Sequence, residues 1–349
     1  PLSMNATRLS KYSLTALALL SLQSCYYVQA TRGQLEVLGK REPIDEVLLS
    51  PETPEELSEK LELVNEARRF SVDVLDLPDN DSYRTYSDVE RDYVVWNVFA
   101  APEFELSALS WCYPIVGCVN YRGYFSEDAA KKKAEKLKEK GYDVAVGGVP
   151  AYSTLGNFDD PVLNTMLRWD DVQLVSTLFH ELAHQVLYIK DDTGFNESFA
   201  TAVEEIGIEK WLATNGEKGD MTRYREGKER YRELFDIVKE ARIYLMDLYA
   251  SDVGEETMRA RKAERFERLK ADITAVLERD GRASEHWLTL DLNNARLLPM
   301  ALYDGRVPAF RALYAQCEFD LECFYAEAIA ISKLKRPERD ARLDELMTL

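Results

Sequence analysis

The segment His-Glu-Leu-Ala-His at residues 180–184 constrains this chain most, because it holds two of the three histidines. Leucine and valine recur at four-residue spacing around it, which predicts a helix over residues 171–190. In a helix, His180 and His184 lie one turn apart on one face, where both can bind one zinc ion. Glu181 lies beside them as a base for a zinc-bound water. The segment therefore predicts a metal site built for catalysis.

A second helical segment, Asn-Glu-Ser-Phe-Ala at residues 196–200, supplies the candidate for the third ligand. A tight loop containing Gly194 can fold this helix back and bring the carboxylate of Glu197 to the metal. Two histidines and one glutamate leave a fourth position for water, as in catalytic rather than structural zinc sites. We therefore expect His180, His184 and Glu197 to hold Zn²⁺.

Other ligand patterns fit the sequence less well. Asp191 and Asp192 follow the motif directly, but we interpret them as solvated loop residues that end the helix. The elongated motif of the metzincins needs a glycine and a histidine where this chain has Leu187 and Lys190. The third histidine, His286, lies far downstream and is interpreted as a surface or half-buried residue.

The N-terminal segment predicts a secretory signal peptide over residues 1–24. Residues 1–3 precede Met4 and are interpreted as a cloning remnant. Arg8 and Lys11 form a positive region, and a short apolar run follows them. This run is too short to be a spanning helix.

The sequence Leu-Gln-Ser-Cys at residues 22–25 resembles the lipobox of bacterial lipoproteins. The resemblance implies a mature protein that is acylated at Cys25, attached to a membrane by this lipid anchor and otherwise soluble. Tyr26 follows the cysteine, which by resemblance to lipoprotein sorting implies the outer membrane, facing the periplasm. An ordinary signal peptide with an incidental cysteine is the alternative.

The four remaining cysteines suit an oxidising compartment. Cys112 and Cys118 have the same spacing as Cys317 and Cys323. Two local disulfides, Cys112–Cys118 and Cys317–Cys323, are the simplest of the three possible pairings. A second metal site is the alternative, but the spacing differs from that of zinc knuckles and no histidine lies near either pair.

The net charge is −18, and removal of the signal peptide with its two cations makes it more negative still. This charge argues against a nucleic-acid partner. It also argues against electrostatic adhesion to anionic lipid, so membrane attachment would rest on the lipid anchor alone. The oligomeric state is not indicated.

The residue pattern predicts an N-terminal α/β lobe over 25–160 and a helical lobe with the zinc site over 161–349. In the first lobe, strands are predicted over 119–125 and 143–149, and a lysine-rich helix over 126–140 connects them. In the second, the charged stretch over 222–279 predicts a helical hairpin that turns at Gly254. The fold class is therefore α+β and helix-dominated, with one small mixed sheet and a largely helical C-terminal region.

The metal motif and the segment at 196–200 together resemble the gluzincin metallopeptidases. In many of their aminopeptidases the third ligand lies in an Asn-Glu-Gly-Phe-Ala segment with a later glutamate, which corresponds to Glu204 here. From the lipobox to Asn293-Asn294-Ala295 the chain also resembles a family of bacterial lipoproteins named as zinc aminopeptidases. The resemblance implies a zinc cofactor and a peptide substrate.

Three features depart from the gluzincin pattern. The interval from His184 to Glu197 is shorter than in the large aminopeptidases. The Gly-x-Met-Glu-Asn segment, whose acid holds the substrate's amino group, is missing. Thr201 stands where some gluzincins place a carboxylate that orients a ligand histidine. Glu204 and Asp191 are the candidates for that role, although either can equally be an acid on a helix surface.

The sequence thus predicts a zinc aminopeptidase that acts on short peptides in the periplasm. Glu181 accepts a proton from the attacking water and passes it to the leaving amine. Tyr303 is the candidate that stabilises the oxyanion and His286 is the second, while a core role for Tyr303 is the alternative. A zinc endopeptidase and a non-catalytic, partner-binding lipoprotein with a structural or vestigial metal site are the alternative functions.

The substrate is expected to lie extended across the metal. The predicted strand over 143–149 can form an edge that pairs with a peptide, as an upstream edge strand does in gluzincins. The candidate substrate-binding residues are Gly148, Ala151, Tyr152 and Ser153. A strand that ends in a turn is the alternative. Asp159 and Asp160 are the candidates for binding the free amino group.

Overall fold

The computed structural model describes residues 26–113, 117–154, 158–216, 220–281, 291–299 and 305–348. The predicted signal peptide over residues 1–24 lies outside these residues, as do Cys25, His286 and Tyr303, so the inferences about them stay predictions.

Eleven α-helices lie in the described part of the chain. They are α1 (26–39), α2 (Ile44–Leu49), α3 (Glu55–Asp73), α4 (Glu127–Lys138), α5 (Asp171–Val186), α6 (Thr193–Asn215), α7 (Asp220–Tyr249), α8 (Glu255–Arg279), α9 (Val307–Gln316), α10 (Leu321–Ser332) and α11 (Arg336–Leu346). A short 3₁₀ helix spans Asn294–Leu297. Among these residues we find no helix that is both long and apolar enough to cross a bilayer.

The strands are short and lie between the helices in sequence. They are β1 (Glu42–Pro43), β2 (Thr85–Ser87), β3 (Val95–Pro102), β4 (Trp111–Tyr113), β5 (Gly117–Val119), β6 (Arg122–Tyr124), β7 (Tyr142–Val149) and β8 (Val162–Leu163). They form three sheets with the orders β1-β2-β8, β6-β3-β7 and β4-β5. The first sheet is mixed and the other two are antiparallel.

The α+β, helix-dominated class is confirmed, but the strands lie in three small sheets instead of one. The reason is local. The chain turns at Asn120 and Tyr121, which divides the predicted strand over 119–125 into β5 and β6. β5 then pairs with β4, whereas β6 pairs with β3.

The predicted strand–helix–strand unit is confirmed as β6, α4 and β7. The Ser126 side chain caps α4 by accepting a hydrogen bond from the Ala129 amide at 3.3 Å. Just beyond the helix, Gly141 takes a left-handed φ of 82°, which costs glycine little. Ala130, Ala134 and Leu137 of α4 are buried against one face of the β6-β3-β7 sheet.

The main hydrophobic core joins α3, α5 and α6 with the C-terminal helices α9 to α11. It takes buried side chains from both sides of residue 160, such as Leu61 and Val94 on one side and Phe199 and Phe310 on the other. The predicted division into two lobes stays a prediction. The site helices α5 and α6 lie within this shared core.

The predicted helical hairpin over 222–279 is confirmed as α7 and α8, and Gly254 immediately precedes α8. The hairpin buries its own apolar side chains, including Leu245, Phe266 and Leu269. The two local disulfides are also present, Cys112–Cys118 across the β4-β5 hairpin and Cys317–Cys323 between the end of α9 and α10.

Candidate metal centre

Helix α5 carries the His-Glu-Leu-Ala-His segment. The Asp170 side chain caps it by accepting a hydrogen bond from the Gln173 amide at 2.8 Å. The leucines at 174, 178 and 182 are fully buried, so this face fixes the helix in the core. The helix ends at Val186 and not at residue 190 as predicted, because Leu187 is already extended.

The connection from α5 to α6 is held by side chains of α6. The Asn196 side chain makes two hydrogen bonds of 2.8 Å with the backbone of Ile189: Nδ2 donates to the carbonyl, and Oδ1 accepts from the amide. This pair of bonds closes the loop and places Glu197, the next residue, towards α5. Gly194 was expected in the loop, but it lies inside α6; Asp191 takes the left-handed conformation instead, with a φ of 62°.

The interpretation of Asp192 as a solvated loop residue is wrong, because Asp192 is buried. Its side chain accepts a hydrogen bond from the Phe195 amide at 3.3 Å and so caps α6. It also accepts two hydrogen bonds from the Arg339 guanidinium of α11, and one of these is 3.1 Å long. The N-terminal end of the helix that carries Glu197 is therefore tied to the C-terminal part of the chain.

His180, His184 and Glu197 come together between the two helices, and their donor atoms all lie within 4.8 Å of one another. His180 Nε2 lies 3.3 Å from Glu197 Oε2, and His184 Nε2 lies 3.8 Å from Glu197 Oε1. Ligands bound tetrahedrally to zinc at about 2.0–2.2 Å are about 3.3–3.6 Å apart. The 3.3 Å separation matches this spacing and the 3.8 Å separation is slightly wider, so the donor set fits one zinc ion after a small movement of the side chains.

The second nitrogens of the two histidines differ in their surroundings. His180 Nδ1 lies 3.1 Å from Glu204 Oε2, so this carboxylate holds the tautomer that leaves Nε2 available. Glu204 lies seven residues after Glu197 on the same face of α6. His184 Nδ1 is buried and has no hydrogen-bond partner within the described residues. Of the two candidates for orienting a ligand histidine, the structure brings Glu204 and not Asp191 to His180.

The site is strongly negative. Burial lowers the pKa of His180, but the contacts with Glu197 and Glu204 outweigh it and raise that pKa to about 10. Burial and the nearby charge of His180 lower the pKa of His184 to about 4. Burial, opposed by His180 and aided by Glu197, raises the pKa of Glu181 to about 7. A site that favours an imidazolium this strongly suits a cation.

Two tyrosines that the sequence analysis did not single out border the cluster. Burial raises the pKa of Tyr121, and the negative charges of Glu197 and Glu181 raise it further. Tyr188 behaves similarly, with its pKa raised by burial, Asp191 and Glu197. Tyr121 follows the disulfide-linked β4-β5 hairpin, and no sequence motif marks it.

The predicted edge strand is β7, which forms an edge of the β6-β3-β7 sheet in the part of the chain that is described. The Val149 carbonyl accepts a hydrogen bond from the amide of Val94, the residue just before β3. The Val144 carbonyl points to the opposite side of β7, where it accepts a hydrogen bond from the Asn293 side chain. Because backbone groups alternate along an antiparallel strand, the polar groups of Val146 and Gly148 face away from β3. Within the described part of the chain these groups have no hydrogen-bond partner, so an added strand can pair with them.

The segment over 150–154 follows β7 directly and has no regular secondary structure. The Tyr152 hydroxyl contacts Gln34 at 2.6 Å, and Ala151 packs against the main core. Ser153 lies 3.4 Å from Asp160, and the Thr154 amide donates to the same carboxylate at 2.7 Å. The substrate-binding role of these residues and of Gly148 stays a prediction.

Asp160 is 3% exposed, whereas Asp159 is exposed. Burial raises the pKa of Asp160. The negative charges of Glu181 and Asp160 both contribute to raising the pKa of the buried Tyr83, after burial itself. The Tyr83 amide donates a hydrogen bond to the Asp160 carbonyl at 2.6 Å, so these two residues are in contact, and both interact electrostatically with Glu181.

Comparison with known proteins gives one match. The model of a family described as "Putative aminopeptidase" matches residues 25–343. No curated protein and no solved structure matches the chain.

Proposed function

The chain belongs to the "Putative aminopeptidase" family, and on this premise we propose that it is a zinc-dependent peptide hydrolase that removes N-terminal residues from short peptides. The observation that carries the proposal is the meeting of His180, His184 and Glu197, with donor atoms within 4.8 Å of one another. Glu181 lies next to His180 on the same helix. A structural zinc site needs no such base, which favours an enzyme over a non-catalytic lipoprotein.

Each residue of the site has a separate task. A bound zinc ion supplies Lewis-acid chemistry, because it lowers the pKa of a water molecule and polarises the peptide carbonyl. His180, His184 and Glu197 hold the ion, and Glu204 fixes the orientation of His180. Glu181 accepts the proton of the attacking water and later donates it to the leaving amine.

The oxyanion of the tetrahedral intermediate needs a hydrogen-bond donor. Tyr121 is our candidate, since its phenol lies close enough to Glu197 and Glu181 for their charges to raise its pKa. Tyr121 is 39% exposed and Tyr188 is 49% exposed, and only Tyr121 interacts electrostatically with Glu181 as well as with Glu197. Tyr303 lies outside the described residues and stays a rival prediction.

The outward edge of β7 supports a peptide substrate in extended conformation. Backbone groups of Val146 and Gly148 can pair with it as an added strand. After β7 the chain leads to Ser153, which lies 3.4 Å from Asp160, a buried acid whose charge helps raise the pKa of Glu181. We propose that Asp160 gives the site its preference for a free ammonium group.

Metal analysis and hydrolysis together test the function. The purified protein should carry close to one zinc ion per chain, and His184→Ala should lose it. Glu181→Gln should keep the zinc but lower hydrolysis at least ~100-fold, because it keeps the shape of the side chain and removes the base. Full zinc in the first variant, or undiminished turnover in the second, contradicts these assignments.

A single peptide with a free or an acetylated N-terminus separates the two kinds of peptidase. An aminopeptidase needs the ammonium group and should cleave only the free form. Equal rates on both forms would leave a zinc endopeptidase in its place. Zinc binding without cleavage of either form would favour the non-catalytic lipoprotein.

For localisation we propose a lipoprotein on the periplasmic side of the outer membrane. The support is the Leu-Gln-Ser-Cys sequence that ends at Cys25. Mass spectrometry of the mature N-terminus tests it, with an acylated Cys25 as the expected result. An unmodified cysteine would favour an ordinary signal peptide.

A further inference from the structure

Lys228 of α7 reaches the acid that orients His180. Its Nζ lies 3.7 Å from Glu204 Oε1 and 3.1 Å from Glu205 Oε1. The other oxygen of Glu204, Oε2, contacts His180 Nδ1 at 3.1 Å. The side chains of Lys228 and Glu204 are only 23% and 18% exposed, so solvent screens their interaction weakly.

We propose that Lys228 is a positioning residue of the metal centre. It holds Glu204 in the rotamer in which one oxygen faces the lysine and the other faces His180 Nδ1. The ring of His180 is thereby fixed with Nε2 pointing at Glu197 and the metal. This inference rests on the proposed zinc site, and it joins the α7-α8 hairpin to that site.

The physical reason is the flexibility of glutamate. A glutamate side chain has three rotatable bonds, and keeping it in one rotamer has an entropic cost. A cation at the second oxygen offsets part of this cost. Partners that orient a metal-binding histidine typically change metal affinity by 10–100-fold.

The packing of α7 supports a defined place for this lysine. Lys228 Nζ lies 5.8 Å from the centroid of the Tyr224 ring, one turn earlier on the same face of α7. Burial raises the pKa of Tyr224, and the charges of Glu204 and Glu205 raise it further. Tyr224 and Lys228 therefore both face the acids of α6.

The rival explanation is that Lys228 only fastens α7 to α6 through Glu205, its nearer partner. In the first explanation Lys228 acts through Glu204, and in the second it acts through Glu205. A fastening role predicts a loss of stability with no specific link to Glu204. A positioning role predicts that the effect of Lys228 on zinc affinity vanishes once Glu204 can no longer orient His180.

The experiment is a competition for zinc between the full-length protein and a chromophoric chelator, without any substrate. Glu204→Gln should raise the zinc Kd by ~10–100-fold. Lys228→Met should raise it by about three- to tenfold, as it acts one residue further away, and Lys228→Arg should restore most of the affinity. The double variant Lys228→Met/Glu204→Gln should bind zinc no more weakly than Glu204→Gln alone.

Two variants serve as matched controls. Glu205→Gln removes the nearer partner of Lys228 and should not weaken zinc binding. Arg311→Met removes a different ion pair of α6, in which Arg311 lies 2.9 Å from Glu209, and should leave the zinc Kd within about twofold. If Arg311→Met weakens zinc binding as much as Lys228→Met does, the effect is general destabilisation and the inference is overturned.

The remaining outcomes separate this inference from the proposed function. A wild-type protein that binds no zinc overturns both. A wild-type protein that binds zinc with unchanged affinity in Lys228→Met overturns the positioning role alone. Additive losses in the double variant do the same, because they place Lys228 outside the link through Glu204.

Discussion

The buried ion pair between Arg339 and Asp192 is the sharpest test of how distant parts of the chain build the metal centre. Arg339 is 5% exposed and Asp192 is 7% exposed. The guanidinium also donates to the Leu334 carbonyl at 2.9 Å. Arg339→Met keeps an unbranched apolar stem but removes the guanidinium, and so leaves a buried carboxylate without its cation at the start of α6.

Removing one partner of a buried ion pair typically costs 3–5 kcal/mol, so we expect a loss of about 3–5 kcal/mol in the free energy of unfolding. With a urea m-value of about 3 kcal/mol/M, the midpoint should fall by about 1–1.7 M. The assay is urea unfolding of zinc-free protein in a chelator, since bound metal would add its own stabilisation. Zinc affinity, measured separately, should also fall, because α6 carries Glu197.

Arg306→Met is the matched control. It breaks an Arg–Asp pair with the same helix α11, through Asp340, but those side chains are 26% and 35% exposed. We expect Arg306→Met to lower the free energy of unfolding by at most about 1 kcal/mol. Arg339→Met combined with Asp192→Asn should be more stable than Arg339→Met alone, because no unpaired charge remains and Asn still caps a helix. An Arg339→Met variant as stable as Arg306→Met would refute the reasoning.

Three further predictions concern single residues at or near the site. Tyr121→Phe should lower kcat ~100-fold in steady-state kinetics, as loss of an oxyanion donor does. Tyr188→Phe should keep kcat within about threefold of the wild type, and equal effects of the two variants would exclude the assignment of Tyr121. Asp160→Asn should be more stable than the wild type at neutral pH. Burial raises the pKa of Asp160 above its ordinary value of 3.8, so the wild type loses stability as pH rises through the folded-state pKa, and the difference should disappear in unfolding measurements below about pH 3. Gly207→Ala should cost about 1–3 kcal/mol in thermal or urea unfolding, because its Cβ would lie 2.7 Å from the Phe179 ring; wild-type stability would show that this contact relaxes freely.

The features that the sequence predicted correctly depend on neighbours along the chain. Helical periodicity brings His180 and His184 onto one face, and it needs no tertiary contact to do so. The capping of α4 by Ser126 and the turn before α8 at Gly254 are likewise short-range signals. Glu197 follows a loop so short that its helix has few ways to return, and the structure places it beside both histidines.

What the tertiary structure decided depends on elements that are distant in sequence. Glu204 and Asp191 were equal candidates for orienting a histidine, and only the packing of α6 against α5 brings Glu204 to His180. Asp192 caps α6 through the nearby Phe195 amide, but its burial beside Arg339, which lies 147 residues away, is decided by the tertiary structure. Such contacts form when the hydrophobic faces of separate helices pack together. The polar residues that this packing brings into contact follow no periodic pattern in the sequence, so the sequence does not predict them.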